Sequence, residues 1–308
     1  MKLIDIDNNL CDKNYISDFL RSTEFSSIAD TIAEIEGDGQ ILHNIYKMGN
    51  DSTGYFSIKK RNLHQKYIAD SIDNLNIMND ESGIFIKYKK VYKTEDCFIL
   101  VSDWIDGKNL HPDFRNKLPL LFAELAKFNH KNIISGPFTS MYADGAYSDS
   151  ADELVDRELN YHLTFWVDDK FRKVISEKVQ FLKTGLPCLI NEDLNLGNMK
   201  IMQDNRIVFI DTEWLQRNIN LYQFDHVDYF CFDKPEWYSI SGEAGDSYTS
   251  YFKELPVSVN DANRQIQAFE ILKVLRQNTY WRFFTQKEKY GLEVERLQTA
   301  LDCLQFVR

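Results

Sequence analysis

The segment LPCLINEDLNLGNMKIMQDNRIVFID, residues 186–211, decides how the fold of this chain is interpreted. It reads as an apolar run, a polar loop, a second apolar run, a tight turn and a third apolar run. Asp193 and Asn198 lie towards the two ends of the polar loop, and Asp211 follows the last apolar run. Carboxylate and amide oxygens are hard ligands that suit Mg²⁺. The segment therefore predicts short strands that bring together a divalent metal and a phosphoryl group.

Phosphoryl transfer requires held phosphates, neutralised charge and an oriented acceptor hydroxyl. Asp193 could accept a hydrogen bond from that hydroxyl, Asn198 could bind Mg²⁺, and Asp211 could bridge the metal and the phosphates. The alternative is that Asp193, Asn195 and Asn198 are ordinary turn residues, because Asp and Asn are common in turns. The flanking apolar runs and the acid that ends the last one favour a kinase of small molecules.

The segment resembles the aminoglycoside phosphotransferase and choline kinase group, a branch of the protein-kinase-like fold. That group has a loop H-x-D-x-x-x-x-N, followed by a strand pair that ends in I-D. Here the loop is NEDLNLGN, residues 191–198, and the later motif is FIDTEW, residues 209–214. The resemblance extends over residues from about 31 to 230.

The resemblance implies a role for each matching position. Asp193 would be the catalytic base, Asn198 and Asp211 would bind Mg²⁺, and ATP or GTP would be the co-substrate. Asp225 matches an acid that usually has a structural role in the group. Asn191 departs from the pattern, because the group usually has His there.

The same resemblance requires a lysine on the third strand that reaches the nucleotide phosphates. Lys59 fits, because it shares a strand face with Ser57 at the period of two. Lys60 is the alternative on the other face, and both lysines could simply face solvent.

Further nucleotide-binding positions are implied for the first part of the chain. A turn with Gly37 and Gly39 would lie over the phosphates, although an ordinary hairpin explains it equally well. Ser102 and Trp104 belong to a linker whose backbone would face the adenine. Asp70 would pair with the lysine, and Asp73 is the alternative.

Hydrophobic periodicity predicts an α+β chain with a small β-rich lobe and a larger, mainly helical lobe. The resemblance implies that these are the two lobes of the protein-kinase-like fold. A small antiparallel sheet is predicted from five strands (Thr31–Ile35, Ile41–Met48, Tyr55–Lys60, Ile84–Tyr92, Cys97–Trp104) and one helix (Leu63–Leu75). The second lobe is predicted from helices Leu118–Phe128, Asp152–Trp166, Asp169–Lys183, Asp261–Phe284 and Lys287–Val307. The expected division is an N-terminal extension 1–30 without an assigned role, a nucleotide-binding lobe 31–103 and a larger lobe 104–308.

Composition restricts the possible partners. The net charge of −11 argues against nucleic acid, since phosphate neutralisation needs clustered Lys and Arg. The five cysteines are scattered, which predicts reduced and mostly buried thiols, Cys188 and Cys231 among them. Without an apolar run of about 18 residues no membrane span is expected. The acidic start does not match a secretory signal, so we expect a cytoplasmic protein.

Some features leave alternatives open. Aromatic residues after the loop could form an acceptor pocket or a cage for a cation, or could simply pack in the core (Trp214, Tyr222, Tyr229, Phe230, Trp237, Tyr238). His226 is expected to make a polar contact, because a catalytic use would need a partner that the sequence does not identify.

The sequence thus predicts an ATP- or GTP-dependent phosphotransferase. Its acceptor would be a hydroxyl of an aminoglycoside, a choline-like alcohol, or a sugar or glycan. A nucleotide-binding pseudokinase is the alternative, because the loop His and a helix Glu are missing. A protein serine/threonine kinase is disfavoured, because no D-F-G motif is present.

Overall fold

The computed structural model describes residues 13–37, 40–62, 83–95, 97–109, 116–138, 147–166, 169–212, 215–227, 244–280, 290–303 and 305–307. Within them the chain has a five-stranded antiparallel sheet, two smaller sheets and seven helices, which confirms the predicted α+β class. It divides into two compact units. The first comprises Met1–Lys108 with Lys200–Trp214, and the second comprises Asn109–Met199 with Leu215–Arg308.

The first unit is built on the five-stranded sheet, in the order β1-β2-β3-β5-β4. All neighbouring strands are antiparallel, as predicted. The strands are β1 Ala33–Gly37, β2 Gln40–Asn50, β3 Gly54–Asn62, β4 Tyr88–Lys93 and β5 Cys97–Asp103. The predicted helix Leu63–Leu75 lies outside the described residues.

Residues 13–32, which include most of the extension 1–30 without an assigned role, cover one face of this sheet. Helix α1 (Lys13–Leu20) and the turns after it bury Ile16, Leu20 and Ile28 against Ile58 and Val101. Because side chains alternate along a strand, the neighbouring Ser57 and Ser102 belong to the opposite face. The N-terminal segment is therefore part of the hydrophobic core of the first unit.

The strand that precedes Asp211 is hydrogen bonded within the first unit. The N–H of Phe209 donates to the carbonyl of Ile84 at 2.8 Å, and the N–H of Ile86 donates to the carbonyl of Phe209 at 2.8 Å. Residues 200–214 therefore group with the first 108 residues, whereas the sequence-based division placed them in the lobe 104–308.

A three-stranded sheet has the order β6-β8-β9, with β6 Lys108–Asn109, β8 Met199–Ile201 and β9 Ile207–Phe209.

The second unit is mainly helical and contains one antiparallel strand pair. Its helices are α2 Leu118–Lys131, α3 Ala151–Leu163, α4 Asp169–Val179, α5 Ala244–Lys253, α6 Val259–Tyr280 and α7 Tyr290–Asp302, and its strands are β7 Pro187–Asn191 and β10 Leu215–Ile219. Ser150 caps α3 by accepting the N–H of Glu153 at 3.1 Å. The predicted helix Asp169–Lys183 ends earlier and continues as the 3₁₀ turn Gln180–Thr184. Helix α5 had no sequence-based prediction.

In the part of the chain that the structure describes, no helix is both long enough and apolar enough to cross a membrane.

Candidate active site

Strand β7 carries the polar loop and is fixed in the core of the second unit. Asn129 on α2 is buried and donates its side-chain N–H to the carbonyl of Leu189 at 2.8 Å. The Asn129 Oδ1 in turn accepts from Gln223 at 2.8 Å and from the Tyr251 hydroxyl at 2.7 Å. A buried amide that is hydrogen bonded through both its nitrogen and its oxygen fixes the strand, because losing either partner would cost free energy.

Asn191 ends β7 and begins the loop. Its side chain is fully buried, and its Oδ1 accepts the backbone N–H of Asp193 at 3.1 Å. The asparagine therefore supports the loop at the position where the resembling group has His.

Asp193 lies at the centre of the hydrogen bonds within the loop. Its Oδ1 accepts from the Asn195 side chain at 2.8 Å, and its Oδ2 accepts from the Asn198 side chain at 2.8 Å. The Asn195 side chain also caps the 3₁₀ turn Leu196–Asn198, since its Oδ1 accepts the N–H of Asn198 at 3.1 Å. The structure thus brings Asp193 and Asn198 into contact within a turn, as the turn-residue interpretation expects.

The Asn198 side chain is arranged as a metal ligand would be. Its Nδ2 donates both to the carbonyl oxygen of Asp193 at 3.1 Å and to its Oδ2, so Oδ1 is the atom left to bind a cation. Within the described residues no group of three or more His, Cys, Asp or Glu could hold a metal by itself. An amide oxygen and one carboxylate fit Mg²⁺, which typically keeps waters and uses phosphate oxygens.

Asp211 belongs to the first unit, directly after β9 and Ile210. It is partly buried, and the next residue, Thr212, is fully buried. The Thr212 hydroxyl donates to the Tyr88 hydroxyl at 3.1 Å. This contact fixes the backbone next to Asp211 within its own unit.

The other nucleotide-site positions also belong to the first unit. Ser57 and Ser102 are direct cross-strand neighbours of β3 and β5. Lys59 stands opposite Leu100, and Lys60 stands opposite Ile99.

The ends of the predicted nucleotide site are described only in part. Gly37 ends β1. The backbone N–H of Trp104 donates to the carbonyl of Tyr55 at 2.9 Å, so this N–H is already paired. Gly39, Asp70 and Asp73 lie outside the described residues.

The second unit contains a buried network of charged side chains that was not predicted from the sequence. Arg276 on α6 donates to Glu158 on α3 at 2.6 Å and to Asp225 at 3.0 Å. Burial alone would raise the pKa of Glu158, but Arg276 and His162 outweigh it and lower that pKa to about 2. Burial opposes the charge of Arg276 as well, yet Glu158 and Asp225 hold its pKa well above the ordinary value. The structural role expected for Asp225 is this contact.

His162 lies beside the same network. Its Nδ1 is 2.8 Å from the Thr279 hydroxyl, and its Nε2 is 3.6 Å from Glu158. Burial lowers the pKa of His162, although the Glu158 carboxylate acts in the opposite direction. His162 is therefore held uncharged at neutral pH.

His226 has the partner that the sequence could not identify. Its Nε2 lies 3.4 Å from Oδ1 of Asp193. Tyr222, by contrast, is fully buried with the Arg276 guanidinium 4.5 Å from its ring centre, so it packs in the core. Cys188 is buried as predicted. Outside the described residues lie Trp214, Tyr229, Phe230, Cys231, Trp237 and Tyr238.

One sequence signal could have found the network. Arg276 lies on a buried face of α6. Phe269, Leu272, Arg276 and Thr279 follow one another at intervals of three or four residues, and all four are buried. An arginine at such a position needs acidic partners.

Known proteins are similar to this chain in fold but not in sequence. No protein-family model matches the sequence, and no curated protein is similar to it in sequence. An aminoglycoside phosphotransferase from Alicyclobacillus acidocaldarius is similar in structure, with a TM-score of 0.55 and 13% identity over 90% of this chain and 93% of that one. An ethanolamine kinase from Plasmodium vivax has a TM-score of 0.54 and 14% identity over 94% and 85% of the two chains. A choline kinase from Streptococcus pneumoniae has a TM-score of 0.52 and 13% identity over 94% and 97%.

The similar structures confirm the predicted fold. They are members of the aminoglycoside phosphotransferase and choline kinase group, the one that the loop resembles. At these identities the likeness is one of fold, and the chemistry has to be argued from the residues of this chain.

Breaking the buried charge network should destabilise the second unit. We expect Arg276→Met to lower the free energy of unfolding by about 3–5 kcal/mol, because two acids lose their buried partner. Arg264→Met is the matched control on the same helix, since Arg264 is exposed and lies 3.8 Å from Asp261. Its loss should stay below about 1 kcal/mol. Urea unfolding measures both, and equal losses would contradict the assigned importance of the network.

His162 should make stability depend on pH. The unfolded imidazole takes up a proton near its ordinary pKa of 6.5, whereas the folded one resists it, so stability is lost as the pH falls below that value. We expect the free energy of unfolding to fall less between pH 7 and pH 5 in His162→Gln than in the wild type. His130→Gln, at an exposed position, is the control. An unchanged slope in His162→Gln would refute this expectation.

Proposed function

We propose, from its fold and from the arrangement of the loop 191–198, that this chain is a small-molecule kinase. It would transfer the γ-phosphate of ATP or GTP to a hydroxyl group, with Mg²⁺ as the cofactor. The observation that carries the proposal is the pair of contacts between the Asp193 carboxylate and the side chains of Asn195 and Asn198. A carboxylate that is held in place and still partly exposed suits a group that must orient a hydroxyl.

Asp193 would act as the base. It accepts the hydrogen bond of the acceptor hydroxyl and takes its proton as the oxygen forms a bond to the γ-phosphorus. The bond between that phosphorus and the oxygen that bridges it to the β-phosphate breaks, and the nucleoside diphosphate leaves. The hydrogen bonds from Asn195 and Asn198 keep the carboxylate in one orientation during this step.

Asn198 and Asp211 would hold the metal. When bound, Mg²⁺ neutralises the charge that develops on the phosphates. Asn198 contributes Oδ1, because its Nδ2 is committed to Asp193. Asp211 contributes its carboxylate.

The nucleotide would be bound by the sheet of the first unit. Lys59 is proposed for the phosphates and Asp70 for the pairing with that lysine. The remaining proposed positions are Gly37, Gly39, Ser57, Ser102 and Trp104. The cross-strand pairing of Ser57 with Ser102 supports a common location for these two.

The acceptor would be an aminoglycoside, a choline-like alcohol, or a sugar or glycan. The pseudokinase alternative depended partly on Asn191, and the hydrogen bond from Asp193 N–H to Asn191 Oδ1 weakens that reason. A pseudokinase would bind nucleotide and transfer no phosphate, so the experiment below separates the two.

The test is phosphate transfer from Mg·ATP and Mg·GTP to a panel of alcohols, aminoglycosides and sugars. We expect the wild type to transfer phosphate to at least one class. Asp193→Asn should lower kcat by about 1,000-fold or more, because the base is lost, and should leave nucleotide affinity nearly unchanged. Asp204→Asn is the control, since Asp204 is an exposed turn residue paired with Arg206.

Two results would refute the proposal. Normal turnover in Asp193→Asn would exclude this residue as the base. Nucleotide binding by the wild type without transfer to any acceptor would favour the pseudokinase.

A further inference from the structure

A histidine outside the loop lies against the proposed base. His226 Nε2 is 3.4 Å from Asp193 Oδ1, and the two side chains are 26% and 22% exposed. The Glu158 and Arg276 side chains are almost completely buried by comparison. The pair between His226 and Asp193 is therefore accessible from solvent, as a base that must meet an acceptor has to be.

We infer that His226 is a positioning residue for Asp193, an inference that rests on the proposed function. With Nε2 protonated, the imidazole donates towards Oδ1 and restrains rotation of the carboxylate. Asn195 already donates to Oδ1 and Asn198 to Oδ2. An ionised carboxylate has about four acceptor positions, so three donors direct the remaining one towards the acceptor hydroxyl.

The backbone that carries His226 is held on both sides by helix α6. Arg276 donates to the side chain of Asp225 at 3.0 Å, and Lys273 donates to the carbonyl of Val227 at 2.6 Å. Residues 273 and 276 lie about one turn apart on the helix and so share a face. His226 lies between two anchored neighbours, which gives its ring a defined location.

The same anchors connect His226 to the protein interior. Arg276 also donates to Glu158 on α3 at 2.6 Å, so α3 and α6 are both attached to the segment that presents the imidazole. A supporting group contributes to catalysis only when it is itself held, because small displacements of a reacting group are costly in rate. The buried network satisfies this requirement for His226.

The pairing can be tested without any activity. In a ¹⁵N spectrum of the six histidine rings, His226→Gln identifies the His226 signals. We expect Asp193→Asn to shift the ring nitrogens of His226 and the control Asp204→Asn to leave them unchanged. Identical His226 signals in the wild type and Asp193→Asn would overturn the inference.

The positioning role is tested by kinetics, with choline, ethanolamine and gentamicin as probe acceptors and phosphate release from Mg·ATP as the baseline. We expect His226→Leu to lower kcat by about 10- to 100-fold with an unchanged KM for ATP. His226→Gln should recover most of the loss, because its amide can donate from a similar place. His130→Leu on α2 is the control, and thermal melts establish that the variants are folded.

A double-mutant cycle separates this inference from the proposed function. If His226 acts through Asp193, His226→Leu should cause no further loss in the Asp193→Asn background. An inactive Asp193→Asn together with a fully active His226→Leu would overturn the inference alone. Normal turnover in Asp193→Asn, or no turnover by the wild type with any probe, would overturn the proposed function and with it the catalytic part of the inference.

Discussion

The buried guanidinium of Arg276 is the constraint on which the second unit depends. A buried charge is tolerated only when it is paired and hydrogen bonded. Arg276 finds acids on two other elements, Glu158 on α3 and Asp225 after the 3₁₀ turn Asn220–Phe224. Since one residue satisfies its charge through both, the two helices and this turn are fixed together. The segment that follows Asp225 carries His226 to Asp193.

The polar loop is a second, smaller network with a different purpose. Asp193 and Asn198 are partly exposed, Asn195 is buried, and the three bind one another through short local contacts. Asn191 stabilises the start of the loop, because its Oδ1 accepts the backbone N–H of Asp193. The buried network of Arg276 stabilises the packing of the second unit. The loop, in contrast, keeps polar atoms of Asp193 and Asn198 accessible to a substrate. A rigid support beneath an accessible polar loop is what a phosphoryl-transfer site would require, because such chemistry depends mainly on positioning and charge stabilisation.

Local patterns in the sequence predicted much of the fold and singled out the two residues at the centre of the candidate site. Strand alternation located the first sheet, and helical periodicity placed the start of α3 within one residue of the observed one. The D-x-x-x-x-N spacing identified Asp193 and Asn198, which are in contact. The contacts that the sequence did not predict join residues that are far apart along the chain. Arg276 and Glu158, for example, are 118 residues apart. Periodicity indicates which positions are buried, but it does not indicate which buried charged residues contact one another. The packing of residues 13–32 on the sheet and the pairing of Phe209 with residues 84–86 are long-range in the same way.

We propose that the loop 191–198 holds its metal-binding amide oxygen in place before Mg²⁺ and the nucleotide arrive. The most direct measurement is the binding of Mn²⁺, in place of Mg²⁺, together with a non-hydrolysable ATP analogue, followed by electron paramagnetic resonance. The account predicts that the wild type removes the free Mn²⁺ signal only when the nucleotide is present, and that Asn198→Ala binds the metal about 10-fold or more weakly. Equal binding by the wild type and Asn198→Ala would contradict it.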